Sequence, residues 1–117
     1  MPSNFFSGVD TSTFGTDPGN AGALGVAVSQ DYALVTAGAE TRTIAVPTFA
    51  NQQIRCYFLT DGGDCVVTVA AAVNAAGNNT ITLADAGDSI TLQAFRTAAS
   101  TYVWRLAHND GGALTTV

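Results

Sequence analysis

From Leu24 onward the apolar residues of this chain recur at every second position in short runs, and nowhere do they sustain the longer period of an amphipathic helix. Leu24, Val26 and Val28 alternate with small residues. YALVT at 32–36 follows a Gln-Asp break, RTIAV at 42–46 is ended by Pro47, and IRCYFLT at 54–60 continues the series. CVVTVAAAV at 65–73, NTITL at 79–83, SITLQAF at 89–95 and TYVWRLA at 101–107 follow, and ALTTV at 113–117 adds a short edge strand. Successive side chains on a strand point to opposite faces, so alternation of this kind describes strands with one buried side. About seven or eight short strands at this spacing predict an all-β domain, an antiparallel β-sandwich or barrel of jelly-roll-like type. The one competing helical segment is VTVAAAVNAAG at 67–77. Its β-branched start and marginal length predict a strand in its first half and a loop over NAAGNN.

Residues 1–25 break the pattern. Glycine, serine, threonine and Asp17-Pro18-Gly19 supply turns, while Phe5, Phe6 and Phe14 stand outside any periodic run. The segment reads as an extended N-terminal arm leading into a β-domain over 26–117. Flexible segments are usually poor in aromatics. The three phenylalanines therefore either fold back on their own core or dock on a partner.

Two stretches repeat each other: LTDGGDCVVTVA at 59–70 and LADAGDSITLQA at 83–94. Two-residue Gly-containing tips commonly close hairpins. A hairpin at the second repeat sets Leu83 opposite Ile90, Ile81 opposite Leu92 and Thr82 opposite Thr91, giving one apolar and one Thr-rich face. At the first repeat it sets Phe58 opposite Val67, Cys56 opposite Val69 and Leu59 opposite Val66. Both faces of this hairpin are then apolar, which predicts either that it lies deeper or that its second face, with Tyr57, Leu59 and Val66, is covered by a partner subunit. For Ile90 and Leu92 to share a side with Trp104 and Leu106, the loop RTAAS must contain an odd number of residues around Ala98 and Ala99.

The aspartates of the repeats are poor calcium ligands. Calcium takes about six to eight oxygens, and neither DGGD nor DAGD follows the EF-hand pattern. Aspartate at a turn corner is expected because its carboxylate accepts bonds from nearby amides. NDGGA at 109–113 repeats the corner without a second aspartate. Asp61, Asp64, Asp85 and Asp88 are formally available as paired acids, but exposed turn tips do not raise a carboxyl pKa. In the hairpin register Cys56 and Cys65 are roughly 13 Å apart at strand rise. A disulfide needs Cα atoms within about 7 Å, so both are expected to be buried free thiols. His108 is the only histidine; beside NDGG it reads as a turn residue. No G-x-S-x-G nucleophile motif is present. Asn78-Asn79-Thr80 matches a glycosylation sequon by chance, and alternation sends Trp104 into the core with Tyr102 and Leu106. No catalytic, metal or cofactor-binding residues are expected.

At 117 residues the chain is long enough for one ordinary core. Charged residues make up 11% of it, against about 25% in an average soluble domain. Lysine is absent, and nine acidic residues outweigh Arg42, Arg55, Arg96 and Arg105 to leave a net charge of -5. A charge-poor surface fits either a neutral, Thr-rich secreted or phage-type β-domain or, the favoured reading, burial in an assembly, since interface cores are depleted in charge. The missing basic cluster argues against nucleic acid and anionic membranes as partners. MPSNFFSGVD has neither the basic segment nor the apolar run of a secretion signal, so synthesis in a cytoplasm is expected.

The order RTIAVPTFANQQIRCYFLTDGGDCVVTV, TITLADAGDSITLQAF and YVWRLAHNDG resembles small β-domains of bacteriophage virion structural proteins. The likeness covers about residues 40–112 and rests on turns and core positions. It implies a non-enzymatic decoration (cement) protein on the capsid exterior, commonly a homotrimer, bound to the major capsid protein. The alternative is a tail-fibre, spike or carbohydrate-binding host-recognition module. On the decoration reading, Phe5, Phe6 and Phe14 dock on the partner, and Tyr57, Leu59 and Val66 pack between subunits.

Overall fold

The computed structural model describes residues 13–117. They form ten strands and no helix: β1 (Thr13–Phe14), β2 (Gly22–Leu24), β3 (Gln30–Val35), β4 (Glu40–Ile44), β5 (Gln53–Thr60), β6 (Cys65–Val69), β7 (Thr80–Leu83), β8 (Ser89–Ala98), β9 (Thr101–Asp110) and β10 (Ala113–Thr115). Two five-stranded sheets pack face to face as a β-sandwich. Sheet A has the order β1-β3-β5-β8-β9 and sheet B the order β10-β7-β6-β4-β2. The all-β sandwich expected from the alternation is the fold of the chain, with a loop over 70–79 where the helical alternative lay.

The pairing within the sheets is mixed, not antiparallel throughout as expected. Strands β1 to β6 alternate between sheets, so each becomes the parallel neighbour of the strand two places on: β1, β3 and β5 in sheet A, and β2, β4 and β6 in sheet B. Strands β7 to β10 then add antiparallel pairs. Neither Asp-Gly repeat closes a hairpin. The corner at 61–64 carries the chain from β5 in sheet A to β6 in sheet B, and the corner at 84–88 carries it back from β7 to β8. Cys56 therefore lies beside Ile90 and Tyr32, while Cys65 lies beside Leu83 and Glu40. The expected partners Phe58 and Val67, Leu83 and Ile90, and Ile81 and Leu92 belong to opposite sheets. The physical reason is burial: Ile54, Cys56 and Phe58 of β5, and Cys65, Val67 and Val69 of β6, all point inward. Facing each other across the core satisfies both sets, as a hairpin would not.

The inward faces themselves are those the alternation assigned. Leu34, Ile44, Ile81, Leu83, Ile90, Leu92 and Trp104 are buried between the sheets. The indole Nε1 of Trp104 donates to the Ala45 carbonyl at 2.7 Å. Strands β8 and β9 do form a hairpin, with Leu92 opposite Leu106 and Ala94 opposite Trp104. A two-residue tip, Ala99-Ser100, combines with a bulge between Arg96 and Ala98 to give the register expected of an odd loop.

The corners at 36–39, 61–64, 84–88 and 109–112 gather at one end of the sandwich. The Thr36 hydroxyl donates to the Gly63 carbonyl at 2.6 Å and accepts from the Gly62 amide at 3.1 Å. A Cβ on Gly63 would sit 2.3 Å from the Gly38 carbonyl carbon. Glycine is required there because one corner lies directly on another. Asp88 Oδ2 accepts from the Ala84 and Asp85 amides at 3.0 and 3.1 Å, the turn chemistry expected of it.

The described part of the supposed arm belongs to the sandwich. Strands β1 and β2 are edge strands of the two sheets, and Leu24 is buried. Phe5 and Phe6 lie outside the described residues.

Candidate functional site

Side chains that point away from the core form two contrasting faces. On sheet B the register aligns Thr41, Val66, Thr82 and Ala113 in one row, and Ala23, Thr43, Thr68, the buried Thr80 and Thr115 in the next. Neither row contains an ionisable group. Most of these residues are β-branched, and their side chains are stiff because χ1 is restricted on a pleated sheet.

The outer face of sheet A is chemically richer. One row crosses all five strands: Phe14 beside Asp31, Asp31 beside Arg55, Arg55 beside Thr91, and Thr91 beside His108. The next row places Ala33 beside Tyr57 and Tyr57 beside Ser89. The small Ala33 leaves a depression between larger neighbours, and these residues line an open groove of about 420 Å³. In it the Arg55 Nε donates to Asp31 Oδ1 at 2.7 Å, and a second contact joins Arg55 Nη2 to Asp31 Oδ2. Ser89 Oγ lies 3.3 Å from His108 Nε2. Phe14 is 83% exposed and Tyr57 49%.

The four described residues among those expected to bind partners, Phe14, Tyr57, Leu59 and Val66, thus separate. Phe14 and Tyr57 both line the groove, two strands apart, and Leu59 is exposed further along the same face. Val66 is on the other side of the sandwich, because β5 and β6 belong to different sheets. There is no shared second face of a 54–70 hairpin. His108 is in strand β9 rather than a turn. Alternation from Trp104 and Leu106 would send it inward, but a bulge between the Thr91 and Leu92 pairings turns it outward beside Thr91. Asp31, Arg55 and His108 could be placed together only from this register.

A second charged group is structural. Arg42 is fully buried, and its guanidinium binds both oxygens of Asp17, Glu40 Oε1 at 3.0 Å, and the Thr41 and Val35 carbonyls. Burial opposes ionisation of Asp17. The Arg42 hydrogen bonds and the Val35 and Gly19 amides outweigh it and hold the carboxyl below its ordinary value. Glu40 is lowered chiefly by the Ala37 amide, with help from Arg42. Cys56 and Cys65 are buried free thiols, as expected from the sequence. Burial pushes Cys56 up to about 12 and raises Cys65 as well, so neither is a nucleophile at neutral pH.

Among the described residues no three His, Cys, Asp or Glu side chains gather as a metal site, and no helix is long and apolar enough to cross a membrane. No protein-family model, curated protein or solved structure matches the chain.

Proposed function

We propose that this protein is a non-enzymatic structural component of a virion, a homotrimeric decoration protein that docks on the major capsid protein at the capsid exterior. The observation that carries the reading is the uncharged Thr, Val and Ala face of sheet B. An exposed surface normally mixes charges of both signs to resist association. A face without them is suited to burial against a neighbour, where unpaired charges would be costly. Likeness of the turn and core motifs to virion β-domains points the same way. Many copies, each burying a modest neutral area, stabilise an assembled shell because every bound copy favours the assembled over the dissociated state.

The experiment is co-sedimentation of the protein with shells of the major capsid protein. Binding is expected to saturate in step with the number of capsid subunits and to be lost in Thr68→Lys, which places a charge at the centre of the sheet B face. Unchanged occupancy by the variant overturns the docking face. Sedimentation of the free protein tests the trimer. A fibre or host-recognition module is favoured by the sheet A groove alone and predicts few copies per particle.

A further inference from the structure

We propose that the groove on the outer face of sheet A is a binding site for a neutral saccharide of one or two sugar rings. The proposal concerns the isolated protein and does not depend on the virion reading or on sheet B. A pyranose offers hydroxyl groups that both donate and accept, and a C–H face that packs on aromatic rings. The groove carries the complement of each. Thr91 and Ser89 supply hydroxyls, and the Asp31–Arg55 pair presents a carboxylate beside a guanidinium, a planar donor and acceptor set suited to adjacent sugar hydroxyls. Phe14 and Tyr57 add exposed rings, each held on a strand rather than a loop. The row from Phe14 to His108 spans roughly 19 Å at the usual strand spacing. That length and the volume of about 420 Å³ suit a small ligand lying along the sheet surface.

The alternatives fit less well. A phosphate or carboxylate ligand needs uncompensated positive charge, but the groove's arginine is paired with Asp31 and the chain carries a net charge of -5. An extended peptide adding to a sheet needs a free edge. Here the groove is the face of a sheet in which β3, β5 and β8 are paired on both sides. A greasy ligand would need an enclosed apolar cavity, whereas this groove is open and crossed by an ion pair.

The test is titration of the folded protein with lactose, cellobiose, N,N′-diacetylchitobiose and maltose, followed by ligand-observed NMR and calorimetry, with inorganic phosphate as a parallel probe. Saturable binding of at least one sugar is expected, weakened about tenfold by Tyr57→Ala through loss of ring contact. Thr91→Val should weaken it as well by removing a hydroxyl without changing shape, while Thr68→Lys on the opposite face should leave it unchanged. Tyr57 and Thr91 point away from the core, and circular dichroism checks that both variants are folded. Failure of every sugar to bind overturns the proposal, as does sugar binding indifferent to both groove substitutions. Saturable phosphate binding in place of sugar also overturns it, assigning the groove to an anion.

Discussion

The Arg42 guanidinium, wholly removed from solvent, grips the Asp17 carboxylate at two points, Nε to Oδ1 at 2.7 Å and Nη2 to Oδ2 at 3.0 Å. Asp17 also accepts from the Val35 amide at 2.9 Å. One carboxylate thus ties the segment between β1 and β2 to a strand end in sheet A and to a buried side chain of sheet B. Asp17→Ala leaves a buried guanidinium short of its main counter-charge. It is expected to cost about 3–5 kcal/mol, read as a lower urea midpoint at unchanged slope. Deleting residues 1–20 removes the same carboxylate and should destabilise the domain similarly; a midpoint unmoved by either change would refute the tie.

The same cluster sets an acid limit. Asp17 and Glu40 both have folded-state pKa values below their ordinary 3.8 and 4.5. A lowered carboxyl contributes stability that is complete above its unfolded pKa and lost as pH falls through the folded one. Stability should therefore be level near neutrality and drop below about pH 4. Thermal melts across pH 2–7 check this, and Asp17→Asn should flatten the acid limb.

Gly63 and Gly87 occupy matching places in the two repeats but face different constraints. A Cβ on Gly63 would overlap the backbone of Gly38 and Ala39, whereas one on Gly87 would meet nothing within 4 Å and only oppose a φ of 98°. Gly63→Ala is expected to cost about 1–3 kcal/mol or more by forcing the corners apart. Gly87→Ala should cost about 1–2 kcal/mol from left-handed backbone strain. Chemical denaturation of the two variants side by side compares them.

Cys56 and Cys65 should not react with a chromogenic disulfide at pH 8 while the protein is folded, and both should react at once in guanidinium. Burial, which pushes the Cys56 thiol up to about 12, denies both the thiolate form and access. Rapid native-state labelling would contradict the burial of these side chains.

Replacing Trp104 by Phe preserves most of the buried ring but orphans the Ala45 carbonyl that the indole reaches at 2.7 Å. A loss of about 0.5–1.5 kcal/mol is expected from this part-buried hydrogen bond, with the smaller ring adding to it. Equilibrium unfolding of the variant measures it.

Which side chains enter the core was legible in the chain itself. Ile81, Leu83, Ile90, Leu92 and Trp104 declare their faces by parity alone, because each strand records its two sides in alternate residues. Arg42 carries the same signal, sharing parity with the buried Ile44, although its charge disguises it. Strand partnership has no such local record. A Gly-containing corner can join neighbours in one sheet or facing strands of two, and the sequence between Leu59 and Cys65 is compatible with either. Only the stacking of the 36–39 corner on 61–64, with β5 and β6 facing across a common core, selects the second. The groove depends on that choice twice over. Parallel pairing of β3 with β5 sets Asp31 beside Arg55, and the bulge before His108 turns that ring out of the core to join them. Parity is a property of each strand, but adjacency and bulges are settled by how whole sheets fit together.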